Sequence, residues 1–434
     1  MSEMTQFVLV IAVFLVLLLA GMWIPFAIFL SASLYIVLYA GWDGLSGFGL
    51  SSWGSMNSFT LTAIPLFILM AEIMLESGLS QRVYRGLARI VRRLPGGLLQ
   101  TNIAGCAAFS AISGSSVATA AAIGSVALPQ LEARGYCLKL STGTLAAGGT
   151  LGILIPPSIA MIIYGTFTET SIAKLFMAGV VPGLALVVLF MCYVAVRCLV
   201  NPRLAPPPEQ QDTPPPLRQT LADLLPFGAL IVGVMGSLYA GLATPTEAAG
   251  VGACLAALIA RIWGDCSIAT LRRSLAKTVK ACGAILFIVY AAFLFSYAIA
   301  MTGLTDSLTD LLDAWQLSRL ELLLAVVLLY TVLGFLMDSI GMMVITVPIL
   351  HPILASYGVD PIWFGVLLVV LIELGQITPP VGMNLFVVKS VSPSARLKDV
   401  VVGSLPFCLL MYVLIAWLIY SPQLALWFPG RMTG

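Results

Sequence analysis

Long runs of apolar residues, separated by short polar stretches, dominate the chain. A helix needs about 20 apolar residues to cross a lipid bilayer. Ten stretches approach that length, near 6–24, 25–40, 57–77, 137–167, 171–197, 221–241, 244–263, 279–302, 361–388 and 399–420. We therefore predict an all-α polytopic membrane protein with ten crossings.

Two further apolar segments, 97–134 and 318–356, do not form clean spans. Small or polar residues interrupt each segment midway, at 113–116 in the first and 337–341 in the second. Irregular backbone at membrane depth is tolerated only where protein or a wet cavity covers it. The interruptions predict two re-entrant helical hairpins, each entering and leaving on the same side.

The distribution of basic residues tests this arrangement. Of the 21 Lys and Arg residues, all but Lys174, Arg319 and Arg431 fall on one side. Because cytoplasmic loops carry an excess of basic residues, that side is cytoplasmic and both termini face outward. A full crossing by one hairpin would largely remove the bias. If both hairpins crossed fully, only the basic residues between them would change sides. The basic-residue count therefore leaves two full crossings open as an alternative.

Composition excludes a soluble domain. The chain is 60% hydrophobic and 9% charged, whereas soluble domains carry about 25% charged residues. The eight cysteines show no metal-ligand spacing and are interpreted as packing residues. The single histidine, His351, is either a packed or interfacial residue or a proton relay.

Internal repetition is the most informative feature of the sequence. Pro129 and Pro352, Gly152 and Gly375, and the Pro-Pro pairs at 156–157 and 379–380 are all separated by 223 residues. A polar, proline-rich stretch at 201–220, predicted to be a cytoplasmic linker, divides the two copies. Each half has five crossings and one hairpin. Since five is odd, the second copy is inverted, as in many secondary transporters.

The predicted domains follow from this repeat. The first repeat, 1–200, has scaffold helices at 6–77, an amphipathic arm at 80–95, the hairpin at 97–134, a broken helix at 137–167 and a helix at 171–197. The second, 221–434, has scaffold helices at 221–263, an arm at 267–278, a helix at 279–302, the hairpin at 318–356, a broken helix at 361–388 and a helix at 399–420.

The breaks in the two broken helices, at 148–158 and 373–380, carry the candidate chemistry. Proline lacks the N–H that would bond back one turn, and glycine permits unwound backbone. The freed carbonyl groups are hard oxygen ligands suited to Na⁺, and the half-helix that follows presents N–H groups to an anion. The alternative is that each Pro-Pro pair only kinks a packed helix. Two such breaks at one offset, each paired with a polar hairpin, favour a binding site.

No Lys or Arg lies in the middle of a span, so an anion would depend on helix ends, polar side chains and bound cations. The candidate substrate-binding residues are Ser115, Ser116, Thr150, Ser158, Asp338, Ser339 and Asn384. Intramembrane acids are usually functional. Glu373 is expected to brace the second break, whereas Glu72 and Glu247 are interpreted as helix-end groups. Anion binding that depends on bound cations predicts symport.

Five motifs in order resemble the large membrane subunit of tripartite ATP-independent periplasmic (TRAP) transporters, and the resemblance covers essentially the whole chain. They lie at 114–118, 152–158, 243–249, 334–338 and 378–384. The resemblance implies an elevator mechanism of the ion-transporter type and Na⁺-coupled uptake of an organic anion across the bacterial inner membrane. It also implies a separate small four-helix membrane subunit and a periplasmic binding protein that delivers the anion.

The same resemblance assigns two Na⁺ sites and no organic cofactor. The residues at these sites are Ser113, Gly114, Gly149 and Gly152 in the first repeat, and Gly334, Gly375 and Thr378 in the second. The substrate is expected between the two hairpin tips.

Three other functions are compatible with parts of this pattern. A dicarboxylate/cation symporter of related architecture would need no binding protein. A channel would show rapid flux with weak saturation, which two closed hairpins disfavour. An intramembrane enzyme lacks support, because the chain has no Ser/His/Asp set, HExxH motif or cysteine–histidine pair. The sequence therefore predicts a transporter rather than an enzyme.

Overall fold

A computed structural model describes residues 3–91, 93–206, 216–334 and 337–431. Across these residues the chain forms twenty α-helices, four short 3₁₀ helices and no β-strand. Residues 207–215 of the predicted linker and 335–336 of one motif lie outside the described residues, so the structure leaves those parts as sequence predictions.

The first half contains ten α-helices. They are α1 (Glu3–Leu19), α2 (Ile24–Ala40), α3 (Gly47–Met56), α4 (Ala63–Glu76), α5 (Leu79–Val91), α6 (Leu98–Ser113), α7 (Ser116–Ala133), α8 (Leu138–Leu154), α9 (Ile159–Thr168) and α10 (Ile172–Val200).

The second half also contains ten. They are α11 (Leu217–Tyr239), α12 (Pro245–Trp263), α13 (Ile268–Thr302), α14 (Leu304–Ala314), α15 (Arg319–Leu333), α16 (Ser339–Ser356), α17 (Pro361–Ile377), α18 (Met383–Val391), α19 (Leu397–Tyr420) and α20 (Gln423–Leu426). A hairpin pair, a broken pair and a long helix thus follow one another in both halves, as α6–α10 and as α15–α19.

The all-α polytopic fold predicted from the sequence is confirmed. Within the described residues, eight helical segments are long and apolar enough to cross a membrane, including the continuous stretch through α8 and α9. Helices α1, α2 and α17 are apolar but shorter. The segment with α16, an arm of the second predicted hairpin, also meets the length criterion.

Three parts of the predicted helix pattern are wrong. The arm at 267–278 and the crossing at 279–302 form one continuous helix, α13, because no glycine or proline separates them. The amphipathic helix α14, with its acidic outer face, was not predicted. Nor was α3, whose three serines and three glycines resemble a loop by composition.

The helices pack into two groups, each of which draws on both halves of the chain. One contains α1, α2, α4, α11, α12 and α13, with α4 packed against α12 and α13. The other contains α6–α10 and α15–α20. Helix α5 contacts α11 of the first group and α6 and α7 of the second, so it bridges the two.

An ion cluster fixes helix α5 to the first group. Asp223 of α11 is 1% exposed, and its carboxylate accepts hydrogen bonds from Arg82 Nε at 3.1 Å and Arg85 Nε at 2.9 Å. Arg82 also donates through Nη1 to the backbone carbonyl of Trp263, at the end of α12. The predicted arm is therefore anchored by its basic face to protein.

Helix α8 lies at the centre of the second group. It contacts α6, α7, α10, α17, α18 and α19, and its buried face includes four glycines. A Cβ atom on Gly143 would lie 2.2 Å from the carbonyl oxygen of Gly403 in α19. Such contacts require glycine, because lipid provides no hydrophobic driving force and helices associate by close packing.

We expect replacement of Asp223 by Asn to destabilise the protein. The variant keeps the size of the side chain but leaves two arginines without a charged partner. Because one of these arginines is largely exposed to solvent, we expect the free energy of unfolding to fall by only about 1–3 kcal/mol. The apparent melting temperature in detergent, followed by tryptophan fluorescence, should fall by several degrees. Arg396→Gln is the control, because Arg396 is 82% exposed in its pair with Asp399 and should change little. Equal melting temperatures for the two variants would show that the cluster is not an anchor.

Candidate functional site

The first hairpin tip and the first helix break contact each other directly. The tip is a turn of two residues, with Gly114 in the left-handed region at φ 58° and Ser115 capping α7 through its hydroxyl. The carbonyl oxygen of Gly114 accepts a hydrogen bond from the N–H of Ile159, the first residue of α9. A side chain on Gly114 would lie 2.9 Å from the carbonyl oxygen of Pro157. The tip predicted at 113–116 is therefore closed against the break at 155–158.

The polar side chains of this first region mostly hold the backbone in place. Ser158 caps α9 by accepting from the N–H of Met161, and Thr150 donates to the carbonyl oxygen of Ala147 at 2.7 Å. Ser113 lies 2.6 Å from the hydroxyl of Thr119. The hydroxyl of Thr150 keeps both lone pairs and that of Ser158 keeps one, so each can still coordinate a cation, whereas Ser113 already accepts from the N–H of Ser115.

Gly149 and Gly152 were expected to lie in unwound backbone, which is wrong. Both are inside helix α8, which ends only at Leu154. Their role is to allow close contact between α8 and the first hairpin. A Cβ on Gly149 would lie 2.6 Å from the Cβ of Ala120, and one on Gly152 would lie 2.5 Å from the carbonyl oxygen of Ser115. These glycines therefore bring the first hairpin onto α8.

The second region repeats this arrangement with different details. Gly375 also lies inside a helix, α17, rather than in unwound backbone. A Cβ added to Gly334 would lie 2.5 Å from the Cα of Gly375. Thr378, the C-cap of α17, donates its hydroxyl to the carbonyl oxygen of Leu374 at 2.5 Å. The break lies at 378–382, after the end of α17, and residues 373–377 are helical. Both Pro-Pro bonds, in the first and the second break, are cis.

Asp338 and Ser339 begin helix α16. Asp338 is the N-cap, and its carboxylate accepts from the N–H groups of Ile340 at 3.2 Å and Gly341 at 3.3 Å. The structure thus gives Asp338 a helix-capping role. Among the described residues, no hydrogen bond joins Asp338 or Ser339 to the polar groups of the first hairpin.

A single side chain links the two halves at the centre. Asn384, in the first turn of α18, donates through Nδ2 to the hydroxyl of Ser116 at 2.7 Å and to the carbonyl oxygen of Ala146 at 3.3 Å. Asn384 is fully buried, and its Oδ1 has no hydrogen-bond partner among the described residues. Ser116 begins α7, so the N-termini of α7 and α18 converge here. Helix N-termini carry partial positive charge and favour anions.

Glu373 of α17 lies against the end of α8, beside the first break. Its side chain is 0% exposed, and neither carboxyl oxygen makes a standard hydrogen bond among the described residues. The backbone N–H groups of Ile153 and Leu154, at the end of α8, face this carboxyl group. An isolated carboxylate in such a place is costly and is expected to be neutralised by a proton or cation. The structure thus places the predicted brace of the second break against the first break.

The two acids interpreted as helix-end groups differ. Glu72 lies inside α4, four residues before its last residue, and its Oε2 is buried without a hydrogen-bond partner among the described residues, so the structure does not support a helix-end role for it. Glu247 forms a capping box with Thr244, whose N–H lies 2.8 Å from its carboxylate. Glu247 is therefore a helix-end group.

Known proteins resemble this chain over nearly its whole length. Residues 11–424 match the family model described as the DctM component of the tripartite ATP-independent periplasmic transporter. The C4-dicarboxylate TRAP transporter large permease protein DctM of Pseudomonas aeruginosa is 34% identical over 404 residues, which cover 92% of this chain and 93% of that protein.

Two further known proteins are similar to this chain. The isethionate TRAP transporter permease protein DctMQ of Oleidesulfovibrio alaskensis is 31% identical, and the match covers 94% of this chain but 64% of that longer protein. The crystal structure of the Alcanivorax borkumensis YdaH transporter has a TM-score of 0.65 and 15% identity, and covers 96% of this chain and 98% of that one. This last match supports the fold alone.

We expect Gly375→Ala to disrupt the second tip–break contact. The added Cβ would lie 2.8 Å from the Cα of Gly334, and backbone cannot move aside as a side chain can. Overpacking of this kind costs about 1–3 kcal/mol, which should lower the apparent melting temperature in detergent. Gly283→Ala in α13 is the matched control, since nothing lies within 4 Å of its Cβ. A Gly375 variant as stable as this control would contradict the contact.

Proposed function

The chain belongs to the DctM component family of the tripartite ATP-independent periplasmic (TRAP) transporters, and we propose that it performs Na⁺-coupled uptake of a small organic anion. It is the large membrane permease of such a system. Its proposed partners are a small membrane subunit in a separate chain and a periplasmic binding protein. The length of the isethionate relative named DctMQ, of which this chain covers 64%, supports a second membrane subunit.

The observation that carries the proposal is the hydrogen bond between Asn384 and Ser116. It joins the first turn of α18 to the first turn of α7, one from each half, so two helix N-termini meet there. The buried amide oxygen of Asn384, which has no hydrogen-bond partner among the described residues, is an acceptor and would face a bound cation or a donor group rather than the anion. An anion held here would receive N–H groups from two helix ends. No Lys or Arg among the described residues touches this cluster, so cations must supply the remaining charge compensation.

Two cation sites are proposed at the tip–break contacts. The first would use the hydroxyl of Ser113 and backbone carbonyl groups brought together by Gly114, Gly149 and Gly152. The second would use the hydroxyl of Thr378 and carbonyl groups near Gly334 and Gly375. Hydroxyl and carbonyl oxygens are hard ligands and suit an alkali cation. Because the proposed anion site has no basic side chain, anion binding would depend on cation binding, which is the basis of symport.

The printed names of relatives bear on the class of substrate. They include a C4-dicarboxylate and isethionate, so both carboxylate and sulfonate anions occur in the family. The site as described has no feature that selects between them. We therefore propose a small carboxylate or sulfonate, with the choice made largely by the binding protein.

The two helix groups support an elevator mechanism. The group with α6–α10 and α15–α20 contains every proposed ligand, and we propose that it moves as a unit against the group with α4, α12 and α13. The basic-residue count places α5 on the cytoplasmic side of a bacterial inner membrane, with both termini in the periplasm.

Reconstitution tests this function. The chain and its small subunit in proteoliposomes should take up an organic acid that stabilises the binding protein in a thermal-shift panel. Uptake should require an inward Na⁺ gradient and added binding protein. Transport that continues unchanged after Na⁺ is replaced by choline would refute the coupling. Transport without binding protein would instead indicate a stand-alone symporter.

Two substitutions should separate cation binding from anion binding. Thr378→Val removes a proposed cation ligand and should raise the Na⁺ concentration for half-maximal uptake by about tenfold. Asn384→Ala should instead raise the half-saturating anion concentration by a similar factor.

Thr309→Val in α14 is the control, because its hydroxyl also donates to the carbonyl four residues earlier but lies outside the site. Equal effects of the Thr378 and Asn384 variants on both concentrations would contradict two distinct sites.

A further inference from the structure

The carboxyl group of Glu373 differs from the other buried acids of the described chain. Asp223 and Asp399 are also buried, and each of them pairs with arginine. Glu373 is 0% exposed, and its carboxyl oxygens have no hydrogen-bond partner or ion pair among the described residues. A buried carboxylate is costly unless a positive charge compensates it. Because no described side chain supplies that charge, it must come from a bound ligand or a proton.

The direction of the Glu373 side chain places the carboxyl group beside the first break. Successive residues of an α-helix are about 100° apart, so Glu373 and Gly375 lie on opposite sides of α17. The side with Gly375 meets Gly334 of the second tip. Glu373 faces instead the backbone N–H groups of Ile153 and Leu154. An acid of the second repeat is thus directed at the end of α8 in the first repeat.

The cation site proposed at this break has oxygen ligands but no charge of its own. Leu154 is the last residue of α8, and the break follows it directly. The first tip closes on the break, since a Cβ on Gly114 would lie 2.9 Å from the carbonyl oxygen of Pro157. Carbonyl and hydroxyl oxygens are neutral acceptors, so they can replace the water around a cation without balancing its charge. A carboxyl group without a partner and a cation without a counter-charge would therefore lie beside the same break.

The repeat shows that packing does not require an acid at this position. The equivalent of Glu373 in the first copy, 223 residues earlier, is Thr150. Thr150 is fully buried, and its hydroxyl donates to the carbonyl oxygen of Ala147 at 2.7 Å. A neutral side chain that bonds to its own helix is therefore sufficient there. Asp338, the acid at the second tip, already accepts from two N–H groups at the start of α16, so Glu373 is the acid left for a ligand.

We propose that Glu373 supplies the negative charge of the first cation site, so that the second repeat completes a site built by the first. This rests on the proposed function, because it takes the Na⁺ site at the first break as given. An order of binding follows from the charges. Asn384 contacts Ala146 on the same helix α8, so an uncompensated carboxylate at Glu373 would repel an anion held there. The first cation removes this repulsion and binds before the anion.

Thermal unfolding of the purified protein in detergent tests the pairing without transport. The melting temperature is followed as NaCl replaces choline chloride at constant ionic strength, and Na⁺ binding should raise it. Glu373→Gln keeps the size of the side chain and removes its charge. The Na⁺ concentration needed for a fixed rise in melting temperature should therefore increase by about threefold to tenfold. Glu373→Asp keeps the charge on a shorter side chain and should give a smaller increase.

Stability without Na⁺ distinguishes this role from a structural one. In choline alone, Glu373→Gln should be no less stable than wild type, because its amide needs no compensating charge. Uptake in proteoliposomes gives a further readout. The same variant should raise the half-saturating Na⁺ concentration but leave the half-saturating anion concentration unchanged when Na⁺ is saturating.

Glu72→Gln is the matched control. Glu72 also has a buried carboxyl oxygen without a hydrogen-bond partner among the described residues, but it lies in α4 of the other helix group. Its replacement should leave the response to Na⁺ unchanged.

A Glu373→Gln variant with the Na⁺ response of wild type would overturn the pairing and show that the carboxyl group holds a proton instead. A variant that responds normally to Na⁺ but is less stable in choline would show a structural brace, which also overturns it. Failure of the proposed function has a different signature. In that case Na⁺ would not stabilise the wild-type protein, and wild-type uptake would continue in choline.

Discussion

The close approach of α8 to its neighbours is the constraint on which the rest of this structure depends. Gly143 lets α19 approach at the level of Gly403, and Gly149 and Gly152 do the same for the first hairpin. In lipid, apolar side chains gain little by leaving their surroundings, so helices associate through such close contacts. Once α8 is packed in this way, the positions of the first tip, the first break and α18 are set.

This packing also explains which polar groups remain available for ligands. Most hydroxyls near the breaks donate to backbone carbonyls or cap helices, so they cost little to bury. Asn384 Oδ1 and the carboxyl group of Glu373 are different, because both are buried beside a break and make no standard hydrogen bond among the described residues. In a membrane protein such groups are tolerated where ligands or protons complete them. Both groups present acceptor oxygens, so a cation, a proton or a hydrogen-bond donor would complete them.

The sequence predicts the elements of the site better than the contacts between them. Small or polar interruptions indicated both tips, and Pro-Pro pairs 223 residues apart indicated both breaks, because glycine permits and proline imposes particular backbone conformations locally. The assignment of Gly149, Gly152 and Gly375 to unwound backbone failed because a glycine in a helix can serve backbone freedom or close packing. Which of these two roles applies depends on the segment of the protein that packs against the glycine. The link between Asn384 and Ser116 joins residues 268 positions apart, and no local pattern indicates it.

Helix α5 limits how the two helix groups can move relative to each other. On one side Asp223 holds it to α11. On the other, the hydroxyl of Tyr84 donates to Asn102 of α6 at 3.0 Å, and Asn102 donates to Thr144 of α8 at 3.1 Å. Both attachments use buried polar groups, which are costly to separate. The elevator motion proposed above would have to be absorbed by rotation of α5 itself or by the turn at 94–97, where Gly96 and Gly97 both have positive φ.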